Sequence, residues 1–399
     1  MSNNTLIVFL ICIFLAFTLT WIVYPIVFRF AQKHHIVDNP DARKLQRYPV
    51  PVLGGVAVAI GMVIPIIVTT AYFEWNALTP IFIFMAIMLL IGVLDDIHNL
   101  SVGVRFIIEI VVVGLYIWVS HSMADTFQGL WGINNLPIYI SVPLSIIAGV
   151  GIINSINLID GIDGYSSGFS IMACTIFGIL FLYIGEYDFA CFTFTCAGSI
   201  IPFYCHNAFG QKTKMYVGDG GTLMLGTVMS CCVFHILSSE APTAALQQKG
   251  IGLVAFCLAV LCIPVFDTIR VILARLVRGT SPFKPDKTHL HHLYIDFGFS
   301  HVGAAMMILC TNFFIVLLWW LSYLAGVSID MQLYIVIVAG VLSTFVFYAW
   351  MRACMRSKNK IYVLMQRIGQ WSHFERKGVW HFAQQVVDGE WLHKNRKTV

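Results

Sequence analysis

Long apolar stretches separated by short polar segments recur along the whole chain. Most approach the length of about 20 residues that an α-helix needs to cross the hydrocarbon core of a bilayer. Alternating apolar and polar positions, which membrane β-strands would show over about ten residues, are not seen. The pattern therefore predicts an all-α polytopic membrane protein with about 11 transmembrane helices. The predicted spans are 5–28, 52–73, 78–94, 103–120, 138–154, 167–185, 189–208, 221–238, 250–273, 302–325 and 331–353.

Positive charge is distributed unevenly between the two ends of these spans. Of the 24 Lys and Arg residues, all but Lys249 fall on one side when the spans are laid in order. The positive-inside rule makes that side cytoplasmic, which predicts an N-terminus outside and a C-terminus in the cytoplasm. The prediction divides the chain into a transmembrane catalytic domain, residues 1–353, and a cytoplasmic C-terminal tail, residues 354–399. The tail could be a surface-lying amphipathic segment or a small appended element.

Composition agrees with a membrane protein. The chain of 399 residues is 58% hydrophobic and only 11% charged, which is too little charge to cover a soluble domain of this size. The net charge of +4 is spread over short loops and the tail, so it indicates topology and lipid headgroups and not nucleic acid. The 11 Cys residues lie almost entirely in apolar runs without a C-x-x-C pair, which favours packing over disulfides or zinc. The first apolar run is too long for a signal peptide and has no cleavage site after it.

Polar residues that could carry chemistry concentrate on the predicted cytoplasmic side. Asp95 and Asp96 end the third span, where adjacent carboxylates are costly unless they bind or pair with a cation. A solvated helix cap is the alternative interpretation of this pair.

A second cluster ends the fifth span. Asn154 and Asn157 are three residues apart and so share a helix face, and Asp160 and Asp163 follow in a glycine-containing turn. Such oxygen ligands suit a hard cation such as Mg²⁺, and the spacing is unlike a Ca²⁺-binding EF-hand loop. A simple turn and cap would explain the glycines but not four polar side chains at one membrane face.

A third cluster, 216–222, opens the eighth span and contains Asp219 between glycines. Glycines ahead of a helix N-terminus let backbone N–H groups approach a phosphate, and Asp219 could hold the metal ion of that phosphate. Alone, the Gly-Asp-Gly-Gly motif is weakly specific.

A fourth cluster lies in the long loop after the ninth span. It contains Lys284, Lys287, His289, His291 and His292. A zinc site is disfavoured because no Cys or fourth ligand is near and the His-Glu-x-x-His motif is absent. Contacts with phosphate and sugar suit these side chains better, with a solvated basic loop as the alternative.

Three further features are less specific. Basic residues around Lys44 precede the second span and could steer an anionic lipid. Asp267 is expected to pair with Arg270 at i,i+3. Glu109 lies inside the fourth span, and intramembrane acids are functional by default.

Taken in order, these clusters resemble the polyprenyl-phosphate N-acetylhexosamine-1-phosphate transferase family over roughly residues 20–300. The matching elements are Arg43-Lys44 with Pro-x-x-Gly-Gly, Leu94-Asp95-Asp96, the run from Asn154 to Gly164, Val217-Gly218-Asp219, and Ser281 to His292. The His-Leu-His-His form is similar to the GlcNAc-1-phosphate branch, whereas the phospho-MurNAc-pentapeptide translocase branch typically carries Pro-Ile-His-His-His. Asn99 stands where many bacterial members have Asp, which puts a subsidiary role of that position in doubt.

The resemblance implies transfer of GlcNAc-1-phosphate from UDP-GlcNAc to undecaprenyl phosphate with Mg²⁺, or alternatively Mn²⁺. The products would be undecaprenyl-diphospho-GlcNAc and UMP, in the first membrane step of a cell-envelope polysaccharide such as the O-antigen of lipopolysaccharide. The enzyme would lie in the bacterial inner membrane with its site facing the cytoplasm. The implied partners are UDP-N-acetylhexosamine, undecaprenyl phosphate and the bilayer, with no nucleic acid, and a homodimer is left open.

The resemblance also implies roles for individual residues. Asn157 and Asp219 would ligate the metal ion, Asp96 would support the metal or phosphate, and Asp95 would position or deprotonate the lipid phosphate. Asp163 would contact uracil and Arg105 the diphosphate. The histidines would bind the sugar phosphate and stabilise charge in the transition state. The predicted catalytic residues are Asp95, Asp96, His289, His291 and His292, and the predicted substrate-binding residues are Lys44, Arg105, Asn154, Asp160, Asp163, Lys284 and Lys287.

Alternatives remain open from the sequence. The donor could carry another N-acetylhexosamine, such as GalNAc, QuiNAc or FucNAc, because pocket shape sets that choice. A Mg²⁺-dependent membrane prenyltransferase would usually show two Asp-rich motifs, whereas the second acidic cluster here is rich in Asn. A secondary transporter would place its polar sites near the bilayer midplane and not at one face.

Overall fold

The computed structural model describes residues 3–40, 48–69, 78–239, 249–282, 286–373 and 378–389, and within these ranges the regular structure is almost entirely α-helical. A small antiparallel pair, β1 (Val37–Asp38) and β2 (Val50–Pro51), lies between the first two helices. The helices are α1 (Asn3–Lys33), α2 (Gly54–Thr69), α3 (Thr79–His98), α4 (Val102–Ser120), α5 (Ile138–Leu158), α6 (Tyr165–Ile184), α7 (Tyr187–Phe209), α8 (Gly218–Ile236), α9 (Leu253–Val260), α10 (Cys262–Val277), α11 (Leu290–Asp296), α12 (His301–Leu324), α13 (Ile329–Val341), α14 (Phe347–Ser357), α15 (Lys360–Trp371) and α16 (Gly378–Val387).

The chain is an all-α polytopic membrane protein. Across the described ranges, nine helices are long and apolar enough to cross a membrane, with α13 and α14 joined by a π-helical turn into one of them. The pair α9 and α10 forms a tenth if it counts as one broken span, and α2 is a shorter apolar helix. Each predicted span overlaps one of these helices. The number of about 11 crossings and the orientation of the termini remain predictions.

Helix α8 lies at the centre of the bundle, and nearly all of its residues are buried. It packs on α2, α3 and α5. Two pairs of glycines bring its N-terminal end close to neighbouring helices. A methyl group on Gly92 would lie 2.4 Å from the Cα of Gly220, and one on Gly55 would lie 2.2 Å from the Cα of Gly221. These glycines let the backbones of α2, α3 and α8 approach closely, as small residues do in membrane helix packing.

The predicted span 250–273 is broken in the structure. Helices α9 and α10 meet at an angle of 74°. Buried Asn312 of α12 seals the break, because its Oδ1 accepts a hydrogen bond from the N–H of Ile263 at 2.9 Å and its Nδ2 donates to the carbonyl of Val260 at 2.9 Å. Backbone groups freed by a break inside a membrane protein need such partners, since lipid provides none.

The C-terminal tail folds against the rest of the chain. Helix α14 continues past residue 353 to Ser357, so the predicted domain boundary falls within a helix. In the segment after it, Ser372 accepts two hydrogen bonds from Ser300 at the start of α12, one from the backbone N–H to its hydroxyl and one from the hydroxyl to its carbonyl. Trp380 of α16 contacts Phe209 at the end of α7, with 4.9 Å between ring centroids. Nine of the 11 Cys residues are buried, which agrees with a packing role for them.

Candidate active site

The C-terminal ends of α3 and α5 and the N-terminal end of α8 surround a polar cavity of about 590 Å³. This volume lies within the range of sites that bind small molecules. Six aspartates line it, namely Asp38, Asp95, Asp96, Asp160, Asp163 and Asp219, together with other polar side chains that include Asn99, Asn157, Asn207, His292 and His301. The structure therefore brings the first three predicted clusters into one cavity and adds His292 from the fourth.

Asp95 and Asp96 make different contacts although they are adjacent at the end of α3. Buried Asp95 accepts the N–H of Leu100 at 2.7 Å and an Arg105 N–H at 3.1 Å. Asp96 accepts the backbone N–H groups of Asp219 and Gly220 at 3.0 and 3.2 Å. The N-terminal amides of α8 that the sequence assigned to a phosphate thus bind a carboxylate of α3, which suits the positive end of a helix.

Local backbone geometry explains why a glycine stands at position 218 and an asparagine at position 99. Gly218 has φ of 73°, and a side chain there would collide with the carbonyl of Val52 and with Asp96. Asn99 ends α3 in the left-handed conformation with φ of 52°, which Asn tolerates better than most residues. Both residues line the cavity.

Among the residues that the structure describes, Arg105 pairs with carboxylates of both α3 and α8. Its Nη1 lies 3.1 Å from Asp95 and 3.5 Å from Asp219, and its Nε lies 3.6 Å from Glu109 one turn along α4. Glu109 is fully buried and accepts a hydrogen bond from Asn154. Asn154 therefore lies behind Arg105 and is not among the cavity-lining residues, although the sequence predicted a substrate contact.

Asp219 and Asn157 lie side by side in the cavity wall. The Nδ2 of Asn157 donates to Asp219 at 2.6 Å and to Thr222 at 2.8 Å. The Asp219 side chain keeps 35% of its surface exposed, so it remains accessible from the cavity. Over the described ranges, no group of three or more His, Cys, Asp or Glu side chains forms a preassembled metal cage.

The turn between α5 and α6 carries two aspartates with opposite properties. Burial raises the pKa of Asp160 to about 8, although Ser166 donates a hydrogen bond to it. Burial opposes ionisation of Asp163 too, but the hydrogen bond from His301 and the charge of Lys214 outweigh it and hold its pKa below the usual range. The distances from Asp163 Oδ2 are 2.8 Å to His301 Nδ1 and 2.5 Å to Lys214 Nζ.

Lys214, His301 and Asn207 were not predicted as site residues. Asn207 accepts the N–H of Gly164 at 2.6 Å and donates to the carbonyl of Met215 at 3.0 Å, so it joins the Asp163 turn to the segment before α8. Lys214 lies two residues before the third cluster, and this nearness was the one sequence signal for it. His301 and Asn207 carry no motif of their own.

The three histidines occupy different positions. His289 is buried and its Nδ1 lies 2.9 Å from Asp267, which also pairs with Arg270 at 2.6 Å as expected from the i,i+3 spacing. His291 is buried against Gly161, where a methyl group would lie 2.3 Å from His291 Nε2.

Of these three histidines, only His292 lines the cavity, and burial together with the charge of His289 lowers the pKa of His292 to about 4. The imidazole of His292 is therefore neutral near pH 7. The segment 289–292 thus places one imidazole in the cavity wall and buries the other two behind it.

Three predicted lysines are not placed in the cavity. Lys44 and Lys284 lie outside the described residues. Lys287 is exposed and is not among the lining residues.

Several known proteins are similar to this chain in sequence. The profile of glycosyl transferase family 4 matches residues 78–237, which include α3 to α8. A protein of Bacillus subtilis (strain 168) named probable undecaprenyl-phosphate N-acetylglucosaminyl 1-phosphate transferase is 30% identical over 295 residues, covering 73% of this chain and 78% of that protein. Proteins named undecaprenyl-phosphate alpha-N-acetylglucosaminyl 1-phosphate transferase are 29% identical in Yersinia pestis and 28% in Escherichia coli (strain K12), each covering 70% of this chain and 74% of the relative.

Proposed function

Because the chain belongs to the polyprenyl-phosphate N-acetylhexosamine-1-phosphate transferase family and is a transferase, we propose that it transfers GlcNAc-1-phosphate from UDP-GlcNAc to undecaprenyl phosphate. In this reaction an oxygen of the lipid phosphate forms a bond to the phosphorus that carries the sugar. The bond from that phosphorus to the oxygen bridging to the uridine-bearing phosphate breaks, and UMP leaves with the electron pair. The products are undecaprenyl-diphospho-GlcNAc and UMP.

The reaction needs no net proton transfer. A phosphate monoester with a second pKa of about 6 is mostly a dianion at pH 7, so the lipid phosphate is already a nucleophile and UMP leaves as a similar dianion. The contacts of Asp95 agree with this, because both of its oxygens accept hydrogen bonds. We propose that Asp95 orients Arg105 toward the diphosphate and that deprotonation of the acceptor contributes little.

The observation that carries the proposal is the imbalance of charge in the cavity. Asp95, Asp96, Asp163 and Asp219 bring four carboxylates to its lining, whereas the cations in direct contact with these four within the described residues are Arg105 and Lys214. Two anionic substrates cannot enter such a site without additional positive charge. The exposed carboxylate of Asp219 beside the amide of Asn157 offers oxygen donors of the kind that Mg²⁺ prefers.

The donor set therefore fits a divalent cation, Mg²⁺ in the first place and Mn²⁺ as the alternative. We assign Asp219 and Asn157 as the residues that would hold it, with Asp96 as support. When bound, the ion would neutralise charge on the diphosphate and help the leaving group depart. Asp96 also fixes the position of Asp219 through the amides at the start of α8.

The remaining residues bind and orient the substrates. Asp163, held by Lys214 and His301, would accept hydrogen bonds from the uracil of the donor. His292 is neutral and would donate a hydrogen bond to the sugar phosphate, whereas His289 and His291 hold the loop in place. Phosphoryl transfer depends mainly on positioning and charge neutralisation, which these contacts supply.

The setting of the reaction is also proposed. A nucleotide sugar is cytoplasmic and the prenyl chain lies in the bilayer, so the cavity would face the cytoplasm at the bacterial inner membrane. The step would begin a cell-envelope polysaccharide, for which O-antigen is one candidate. Another UDP-N-acetylhexosamine, with GalNAc, QuiNAc or FucNAc as its sugar, remains the alternative donor. A homodimer remains a prediction from the sequence.

The test is transfer of radiolabel from UDP-[³H]GlcNAc to undecaprenyl phosphate by purified protein, with Mg²⁺ or with a chelator. We expect a lipid-linked product that requires the metal ion and is lost in Asp219→Asn. This variant keeps the size of the side chain but loses the charge.

Asp330→Asn is a suitable control, because Asp330 contacts Trp131 far from the cavity. A product formed only with another UDP-hexosamine would change the donor and keep the reaction. Folded protein that uses no UDP-sugar would overturn the proposal.

A further inference from the structure

A carboxylate of the C-terminal tail holds the loop between α7 and α8. Asp388, which follows α16, accepts the backbone N–H groups of Gln211, Lys212 and Thr213 at distances of 3.1, 3.1 and 3.2 Å. The hydroxyl of Thr213 also donates to it at 3.0 Å. Asp388 is therefore the common acceptor of an entire turn that is about 175 residues away in sequence.

The same turn is tied to two membrane helices. His206 of α7 lies 2.9 Å from the hydroxyl of Thr213, and Tyr24 of α1 donates to the carbonyl of Thr213 at 2.7 Å. The rings of Tyr24 and His206 stack, with 3.9 Å between their centroids. Thr213 is thus fixed by contacts from α1, α7 and the tail.

The residue after Thr213 contacts a residue of the cavity wall, because Asp163 lines the cavity. Lys214 makes the ion pair with Asp163, and its side chain is only 25% exposed. A shift of the turn would move the backbone from which the Lys214 side chain extends. Trp380 packs on Phe209 and Val387 is buried, so α16 is seated on the same part of the chain as the turn.

We propose that Asp388 is a positioning residue for the uridine nucleotide: it fixes the turn 211–213 and through it the Lys214–Asp163 pair. This inference rests on the proposed function, because it assigns Asp163 to the donor nucleotide. It gives the tail, which lies beyond the segment matched by the family profile, a part in donor binding. Asp388 itself touches no substrate.

The test compares full-length Asp388→Asn and Asp388→Ala with wild type in three measurements. Hydrogen exchange of the amides of 211–213 should accelerate by about tenfold, because they lose their charged acceptor. The rate of acylation of Lys214, followed by mass spectrometry, should rise as the ion pair loosens. The KM for the UDP-sugar should increase roughly threefold to tenfold while kcat changes by less than about twofold.

Gln385→Ala is the matched control, because Gln385 lies on the same helix and its hydrogen bond is to His381 within that helix. It should leave all three measurements unchanged. In a Lys214→Gln background, Asp388→Asn should raise KM no further, since both substitutions remove the same contact.

Normal exchange and normal Lys214 reactivity in the Asp388 variants would overturn the proposal. Faster exchange with an unchanged KM would also overturn it, since Asp388 would then serve stability alone. If wild-type protein used no UDP-sugar, the proposed function would fail. Exchange and Lys214 acylation would still show whether Asp388 positions Lys214.

Discussion

Gly161 shows how closely the aspartate turn and the histidine loop are packed. Its Cα lies against the imidazole of His291, which is itself buried. The two loops are far apart in sequence, yet neither can shift alone at this point. The geometry of Asp160 and Asp163 therefore depends on a residue that has no functional group.

Gly161→Ala should reduce transfer by at least about tenfold without unfolding the protein. The added methyl group would lie 2.3 Å from His291 Nε2, so the turn or the ring must move. The measurement is kcat/KM for the UDP-sugar together with the thermal midpoint. Gly151→Ala is the control, because a methyl group there meets nothing within 4 Å, and it should retain activity. Wild-type activity in Gly161→Ala would show that this packing is not needed.

Glu109 affects the cavity only indirectly, because it contacts Arg105 and does not itself line the cavity. It is fully buried and lies beside Arg105 and Asn154. Glu109→Gln keeps the shape and the acceptor for Asn154 but removes the charge that faces Arg105. We expect kcat/KM to fall roughly threefold to tenfold. In an Arg105→Ala background the same substitution should have little further effect, and additive losses would contradict the assigned role.

Contacts between neighbours in sequence could be predicted, whereas contacts between distant segments could not. The pair Asp267–Arg270 follows from its i,i+3 spacing, and Asn154 and Asn157 share a helix face as expected. Asn154 nevertheless donates its hydrogen bond to Glu109, behind the residues that line the cavity. The partners of Asp163 come from positions 51 and 138 residues away, so only the tertiary fold reveals them.

At the scale of elements, hydropathy alone did not predict the break between α9 and α10. Residues 250–273 are mostly apolar, and hydropathy measures composition but not direction, whereas Pro264 in the first turn of α10 is a sequence signal for a break because it has no N–H for the carbonyl of Val260. The bend is permitted because Asn312 satisfies backbone groups on both sides of it. A polar side chain on one helix thus stabilises a bend in another.

Asn312→Leu should destabilise the protein markedly. Leucine fills a similar volume but leaves the N–H of Ile263 and the carbonyl of Val260 without their partner, at a cost of about 1–3 kcal/mol each. A lower midpoint of thermal unfolding in detergent is expected. Thr311→Val is the control on the same helix, since Thr311 is only half-buried and its hydroxyl donates to the carbonyl of Met307 in its own helix. Equal midpoints for Asn312→Leu and wild type would show that the break does not need Asn312.

At the scale of the whole molecule, the spans can be placed from hydropathy, but their orientation depends on charge. Every predicted span overlaps a helix, and the aspartates of three clusters meet at one end of the bundle. The positive-inside rule assigns that end to the cytoplasm because the loops around it carry nearly all of the basic residues. Lys249 is the one lysine assigned to the opposite side, and it is exposed.

This assignment can be tested with the lysines that the chain already has. An amine reagent that does not cross membranes should label Lys249 in right-side-out vesicles, and Lys287, Lys358 and Lys360 in inverted vesicles, since all four are exposed. Mass spectrometry of the peptides identifies the labelled positions, and Lys249→Arg should remove the lysine labelling of right-side-out vesicles. The reverse pattern would place the cavity on the outer face, where no nucleotide sugar is available, and the proposed reaction could not occur there.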